Sequence, residues 1–215
     1  MVKPVNVGVL ALQGDFEAHA RALAHQGARA REIRRPAELQ GVEGLILPGG
    51  ETTTMIKLLR ETGLWDAIAA APGSGQPVFG TCAGLILLAR EVTDPAQPSL
   101  GLLPVTVRRN AYGRQVESFV EAGVVHVPAD LAGHPERGRA LPTEFVFIRA
   151  PRITALHDGV EVLARRADEP VLVRSGGVLG GSFHPELTAD GVVLRVFLAM
   201  IAQAREGCPR GPGRP

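Results

Sequence analysis

Gly80-Thr81-Cys82-Ala83-Gly84 has the form glycine, any residue, nucleophile, any residue, glycine, and it falls where an apolar strand-like run gives way to a helical one. A side chain on such a turn is held in a strained backbone conformation above the carboxyl ends of the strands, and glycines two residues to either side let neighbouring backbone pass closely. The N–H groups that open the following helix favour negative charge on the sulfur. Most cysteines are small buried hydrophobes. The glycine frame and the strand-turn-helix setting instead make Cys82 a candidate nucleophile. A thiol nucleophile needs a base that takes its proton and returns it to the leaving group, work suited to histidine near neutral pH. Of the six histidines, His19 and His25 fall in a predicted helix, His134 in a predicted loop, and His126 and His157 near turn residues, so these read as solvated. His184 differs, because it ends an apolar run in Ser182-Phe183-His184-Pro185-Glu186. Strand-like spacing would put its imidazole and the Glu186 carboxylate on one side of the chain, so that Glu186 orients the ring while the other nitrogen faces Cys82.

Attack of sulfur on an acyl carbon leaves negative charge on the former carbonyl oxygen, which two backbone N–H groups usually hold. One candidate donor is Ala83, the residue after the nucleophile. The second must come from a neighbouring strand-end loop. Leu47-Pro48-Gly49-Gly50-Glu51 supplies it, with Gly50 as the candidate, since glycine permits both close approach and unusual φ.

The elements that must position these groups are legible as alternating runs. Val5 to Leu12 is a short, nearly continuous apolar stretch, as a strand buried on both faces should be, and is expected to be the first, central strand. Residues 16–26 carry Phe16, Ala20 and Leu23 at helical spacing, with Gly27 as the residue that ends the helix. The rhythm repeats with strands at 28–33, 44–47 and 77–80 and helices at 54–60 and 83–90. Such alternation predicts a mostly parallel twisted sheet flanked by helices on both faces. After Pro95 short β-type runs at 105–107, 116–120, 145–148, 160–163, 171–173 and 178–179 predict antiparallel strands appended to that sheet. Residues 128–142 read as a surface loop, and residues 192–204 as a closing helix with Val193, Val196, Phe197, Met200 and Ile201 on one face.

With 215 residues, the chain fits one α/β domain over residues 1–204, followed by a Pro/Gly/Arg tail at 205–215 expected to be disordered. A net charge of +1 leaves no basic stripe for nucleic acid. No run of about 18 apolar residues predicts a membrane span. The two cysteines, Cys82 and Cys208, sit in unlike settings, so no structural disulfide is expected. With no secretory-type leader in the first residues, the expected location is the cytoplasm.

Taken together, Pro48-Gly49-Gly50-Glu51, the Cys82 turn and Ser182-Phe183-His184-Pro185-Glu186 resemble the class I, triad-type glutamine amidotransferases. Gly8-Val9-Leu10-Ala11-Leu12-Gln13-Gly14-Asp15, Arg109-Asn110-Ala111-Tyr112-Gly113-Arg114-Gln115 and Phe147-Ile148-Arg149-Ala150-Pro151 narrow the resemblance to the glutaminase subunits of pyridoxal 5′-phosphate synthases. The resemblance implies a triad of Cys82, His184 and Glu186. It also implies glutamine held by Gly50, Glu51, Thr52, Arg109, Ile148 and Arg149, with threonine at 52 where the family usually has serine. Gln13 is implied to lie at a partner interface and to take part in activation. L-glutamine would be hydrolysed and its ammonia passed to a barrel synthase subunit in a hetero-oligomer, with no metal or organic cofactor in this chain. Two other readings fit parts of the pattern: another hydrolase or amidotransferase on the same triad, and a binding subunit without activity.

Overall fold

Runs of valine, leucine and isoleucine at the expected positions form the interior strands. The computed structural model describes residues 4–109 and 118–207. The first half alternates strand and helix: β1 Asn6–Leu10, α1 Phe16–His25, β2 Arg29–Ile33, β3 Gly44–Leu47, α2 Thr52–Thr62, α3 Leu64–Ala70, β4 Val78–Thr81 and α4 Ala83–Leu88. Then follow β5 Ala89–Thr93, β6 Leu103–Arg108, β7 Phe119–His126, β8 Ala140–Phe147, β9 Arg152–Leu156, β10 Glu161–Arg166, β11 Glu169–Ser175, β12 Val178–Gly181 and α5 Val192–Gly207.

The main sheet has seven strands in the order β10-β11-β12-β4-β3-β1-β2. From β12 to β2 every neighbour is parallel, and β11 and β10 add an antiparallel extension. The expected mixture of parallel core and antiparallel additions is therefore present. Two satellites stand beside it, a β5-β6-β9 sheet in which β5 and β6 are parallel and β9 is antiparallel to β6, and an antiparallel β7-β8 hairpin. Strand alternation divides the core between two faces. Val7, Val9, Ile46 and Phe79 join Leu23 of α1 and Val193, Phe197 and Ile201 of α5. Leu10, Leu45, Leu47 and Val78 face the other way and meet Met55 and Leu59 of α2, Leu64 and Ile68 of α3 and Leu87 of α4.

Several expectations move. β1 is not central: it lies between β3 and edge strand β2, and β4 takes the middle. A doubly buried strand looks the same in sequence whether it is fourth or sixth across a sheet. The helix after Cys82 stops at Leu88, because residues 89–93 pair with β6 as a strand. The helix α3 and the strand β9 carried no signal of their own, being short and, in β9, exposed over Thr154, Ala155 and Leu156. Residues 140–142 belong to β8 rather than to the loop, and α5 continues through Gly207. His134 is buried, not solvated; its Nδ1 accepts the Glu136 N–H. The expectations at residues 110–117, including most of the Arg109–Gln115 motif, and at residues 208–215 with Cys208, lie outside the described residues. Among the described residues no helix is long and apolar enough to cross a membrane.

Candidate active site

The chain leaves β1 for β2 on one side and then returns to β3 on the other, so the direction of strand succession reverses between β1 and β3. Crevices form at such reversals, at the carboxyl ends of the strands. The ends of β1, β3, β4 and β12 there deliver Gln13, Gly50, Cys82 and His184 respectively. These residues line one cleft of about 300 Å³, together with Glu51, Thr52, Ala83, Ile86, Arg109, Ile148, Arg149 and Pro151.

Cys82 sits at φ 49°, ψ −103°, a strained conformation for a non-glycine residue, between β4 and α4. Its N–H donates to the Gly181 carbonyl at 2.8 Å, which locks the turn to β12. The flanking glycines are required by close backbone. A Cβ on Gly84 would stand 2.0 Å from the Leu47 carbonyl oxygen, and one on Gly80 would stand 2.5 Å from the Gly84 carbonyl. Cys82 is only 8% exposed, and its thiol lies 3.9 Å from the Ile148 carbonyl oxygen. Arg149 beside it has φ 47°, so this wall of the cleft is also strained.

Phe183, fully buried against Phe145 and Phe147, anchors the segment that carries the base. The His184 N–H donates to the Val146 carbonyl at 2.9 Å. The chain then enters a 3₁₀ turn, Pro185–Leu187, rather than continuing as a strand. That turn, not strand alternation, brings Glu186 back beneath the ring, where His184 Nδ1 and Glu186 Oε1 are 2.7 Å apart. Both side chains are nearly inaccessible. Burial works against a charged imidazole at 184, but the neighbouring Cys82 and the hydrogen-bonded Glu186 carboxylate outweigh it and raise His184 to about 10. Burial would likewise push Glu186 up, yet His19 and His184 hold its carboxyl below the ordinary range.

The Gly49 carbonyl accepts the Asp15 N–H at 3.3 Å. In a trans peptide the Gly50 N–H points the opposite way, away from the Gly14-Asp15 side. Ala83 is the first residue of α4, where a backbone N–H has no partner within the helix. Gln13 Oε1 accepts the Glu51 N–H at 2.8 Å and so braces the same loop. Glu51 caps α2: its carboxylate accepts the Thr53 and Thr54 N–H groups and the Thr53 hydroxyl, which with other local contacts lower its pKa to about 2. Thr52 Oγ1 donates to Gln97 Oε1 at 3.0 Å, and Arg109 Nη2 stands 4.0 Å from Glu51 Oε1.

All the residues singled out for chemistry thus gather at one cleft, except Glu186, which sits behind His184. One was missed: His19, read as solvated, is fully buried with Nε2 3.4 Å from Glu186 Oε2 and 3.1 Å from Thr81 Oγ1. The buried stripe of α1 is Ala18, His19, Ala22 and Leu23, one position off the Phe16-Ala20 alignment taken from the sequence. Spacing of four residues to Leu23 was the available signal.

The model of the SNO glutamine amidotransferase family matches residues 9–203. This chain belongs to that family. Among curated members it is 52% identical over 207 residues to the pyridoxal 5′-phosphate synthase subunit PdxT of Parafrankia sp. (strain EAN1pec), covering 95% of this chain and 97% of that one. It is 48% identical to the PdxT subunit of Deinococcus radiodurans, covering 93% and 98%. A crystal structure of a glutamine amidotransferase aligns with TM-score 0.81 at 50% identity, over 91% of this chain and 98% of that one. A putative GMP synthase subunit from Thermoplasma acidophilum aligns at 0.66 with 18% identity, so this family shares the fold with more distant proteins.

Proposed function

We infer that this chain is the glutaminase subunit of a pyridoxal 5′-phosphate synthase, hydrolysing L-glutamine to L-glutamate and ammonia. The observation that carries the reading is Cys82 on a strained strand-to-helix turn in the same cleft as His184, which Glu186 backs at 2.7 Å, with Gly50 and Ala83 lining that cleft. Near-full-length identity to PdxT subunits supports it.

Cys82 Sγ attacks the side-chain amide carbon of glutamine, forming a carbon–sulfur bond while the carbonyl electrons move to oxygen. The Gly50 and Ala83 N–H groups hold that oxyanion. As the intermediate collapses, the carbon–nitrogen bond breaks and His184 gives its proton to the leaving nitrogen, releasing ammonia and a γ-glutamyl thioester. His184 then takes a proton from water, the resulting hydroxyl attacks the thioester, and glutamate leaves as the sulfur regains its proton from His184. Glu186 stabilises each imidazolium stage. The Glu51 and Thr52 side chains and the Glu51 N–H are already engaged by the chain's own groups, so what this segment has left for glutamine is the Thr52 N–H at the start of α2, while Arg109 and Arg149 supply positive charge at the cleft for the substrate carboxylate.

Ammonia freed into water would protonate and disperse, so its use requires a protected transfer. The acceptor in this reading is a barrel synthase subunit, joined to residues 1–204 as a hetero-oligomer in the cytoplasm, with no metal or organic cofactor in the glutaminase. The test is glutamate release by the full chain with and without that synthase. Cys82→Ala should abolish it in both, and activity within about tenfold of the unaltered chain would remove the reading, because triad members act as a unit.

A further inference from the structure

His184 occupies only one oxygen of the Glu186 carboxylate. The other, Oε2, is buried with no hydrogen-bond partner among the described residues in the geometry as it stands, and His19 Nε2 is 3.4 Å from it. His19 is itself completely buried on α1, with Nδ1 unpartnered among the described residues. The ring therefore has one sensible tautomer. A proton on Nδ1 would be a buried donor without an acceptor among the described residues and would leave the Nε2 lone pair beside a carboxylate, whereas a proton on Nε2 lies beside the Thr81 hydroxyl at 3.1 Å and Oε2 at 3.4 Å.

We propose that His19 is a positioning residue of the glutamine-splitting machinery: its Nε2–H holds Oε2 of Glu186, and so fixes the carboxylate that orients His184. The proposal rests on the glutaminase reading for its kinetic consequence but not for its structural one. Burial lowers the pKa of His19, consistent with a neutral ring that donates without adding a second cation beside His184. The groups that face it are Glu186 and His184 from the turn after β12, Asp15 from the loop before α1, and the Thr81 hydroxyl from the end of β4. The stretch that bears His19 also bears Gln13 and Asp15, which hold Glu51 and Gly49. The loop before α1 and the first turns of that helix thus touch, respectively, the Gly49-Glu51 segment and the Glu186 carboxylate.

The experiment compares the full chain with His19→Leu and His19→Gln, assayed with the synthase subunit and by proton NMR of the His184 Nδ1–H that bonds Glu186. Leucine removes the donor and strands a buried carboxylate oxygen. Glutamine keeps an N–H at a similar reach. His19→Leu should lower kcat roughly tenfold to a hundredfold, the worth of one hydrogen bond to a charged group. The KM for glutamine should hold within about twofold, since substrate binding is untouched. The acid limb of kcat/KM and the pH at which the Nδ1–H resonance is lost should both move upward, as Glu186 becomes easier to protonate. His19→Gln should restore most of each. Unchanged kcat and an unchanged resonance in His19→Leu would overturn the proposal, as would equal losses in both variants without a pH shift. If His19→Leu fails to fold, His19→Asn, whose shorter amide falls short of Oε2, replaces it, and equal behaviour of the asparagine and glutamine variants overturns the proposal. Should the unaltered chain show no glutaminase activity while the NMR shift appears as described, the functional reading fails and the placement of His19 stands.

Discussion

At the scale of single residues, the site is a contest between burial and pairing, and pairing wins at His184. Burial penalises a charged ring there, but the Glu186 carboxylate at 2.7 Å and the neighbouring Cys82 raise its pKa to about 10. A histidine raised from 6.5 to about 10 stabilises the folded chain most fully below 6.5 and loses that contribution as pH climbs through 10. Glu186, held low, has the opposite sense: its contribution is present above 4.5 and fades as pH falls through its folded value. Glu186→Gln removes the charge that sustains the imidazolium while keeping the shape. Turnover should fall on the order of 10³–10⁴, by analogy with the orienting carboxylate of serine proteases. The alkaline loss of melting temperature between pH 6.5 and 10 should also shrink in this variant. Steady-state kinetics and thermal scans across that range check both, and unchanged turnover would mean that Glu186 is a turn residue only.

At the scale of elements, the Cys82 turn depends on glycines that let backbone pass closely on both sides. β4 and α4 meet at an angle possible only because Gly80 and Gly84 lack side chains. A Cβ at 84 would press on the Leu47 carbonyl of β3, which is main chain and cannot rotate away as a side chain can. Gly84→Ala should therefore cost about 1–3 kcal/mol, the range for overpacking a filled interior. Because β3 leads into the Gly49-Gly50 loop, the same change should shift the oxyanion donor and reduce turnover in the fraction that remains folded. Urea unfolding alongside kinetics decides it: stability within about 0.5 kcal/mol of the unaltered chain would show that the elbow has slack, since harmless surface changes fall in that band.

At the scale of the whole molecule, the loop proposed to hold the oxyanion is braced by parts that lie far apart in the chain. The Gly49-Gly50 peptide keeps its orientation through one long hydrogen bond from Asp15 and through Gln13 bracing Glu51. A peptide between two glycines rotates at small steric cost, so so light a tether leaves the donor loosely set. A synthase that docks against the Gln13 loop would stiffen it, and turnover should rise with saturating synthase far more than KM falls. A missing oxyanion donor is worth about 10²–10³ in rate, which sets the scale of the gain. Gly50→Val should blunt it, because a Cβ there would meet Gln13 Oε1 at 2.5 Å. Equal turnover with and without synthase would refute the switch and leave the triad intact.

What the sequence determined by itself was local. Cys82 in its glycine frame, the His184-Pro185-Glu186 tripeptide, the apolar strands and the glycines that close α1 and α2 all follow from spacing within a few residues. The α/β class followed from the order of such pieces. What only the tertiary structure decided was adjacency. Which strand lies in the middle depends on crossovers between runs that look alike, so β1 and β4 could not be told apart as central strands. Glu186 reaches His184 through a 3₁₀ turn fixed by hydrogen bonds within the turn, while the His184 N–H is tied to β8. His19 was invisible as a site residue because its partner is 167 positions away and arrives only when α1 packs beside the turn after β12. A polar residue buried by a distant element leaves almost no mark on its own neighbours in the chain. It becomes legible when the fold shows which charge it faces.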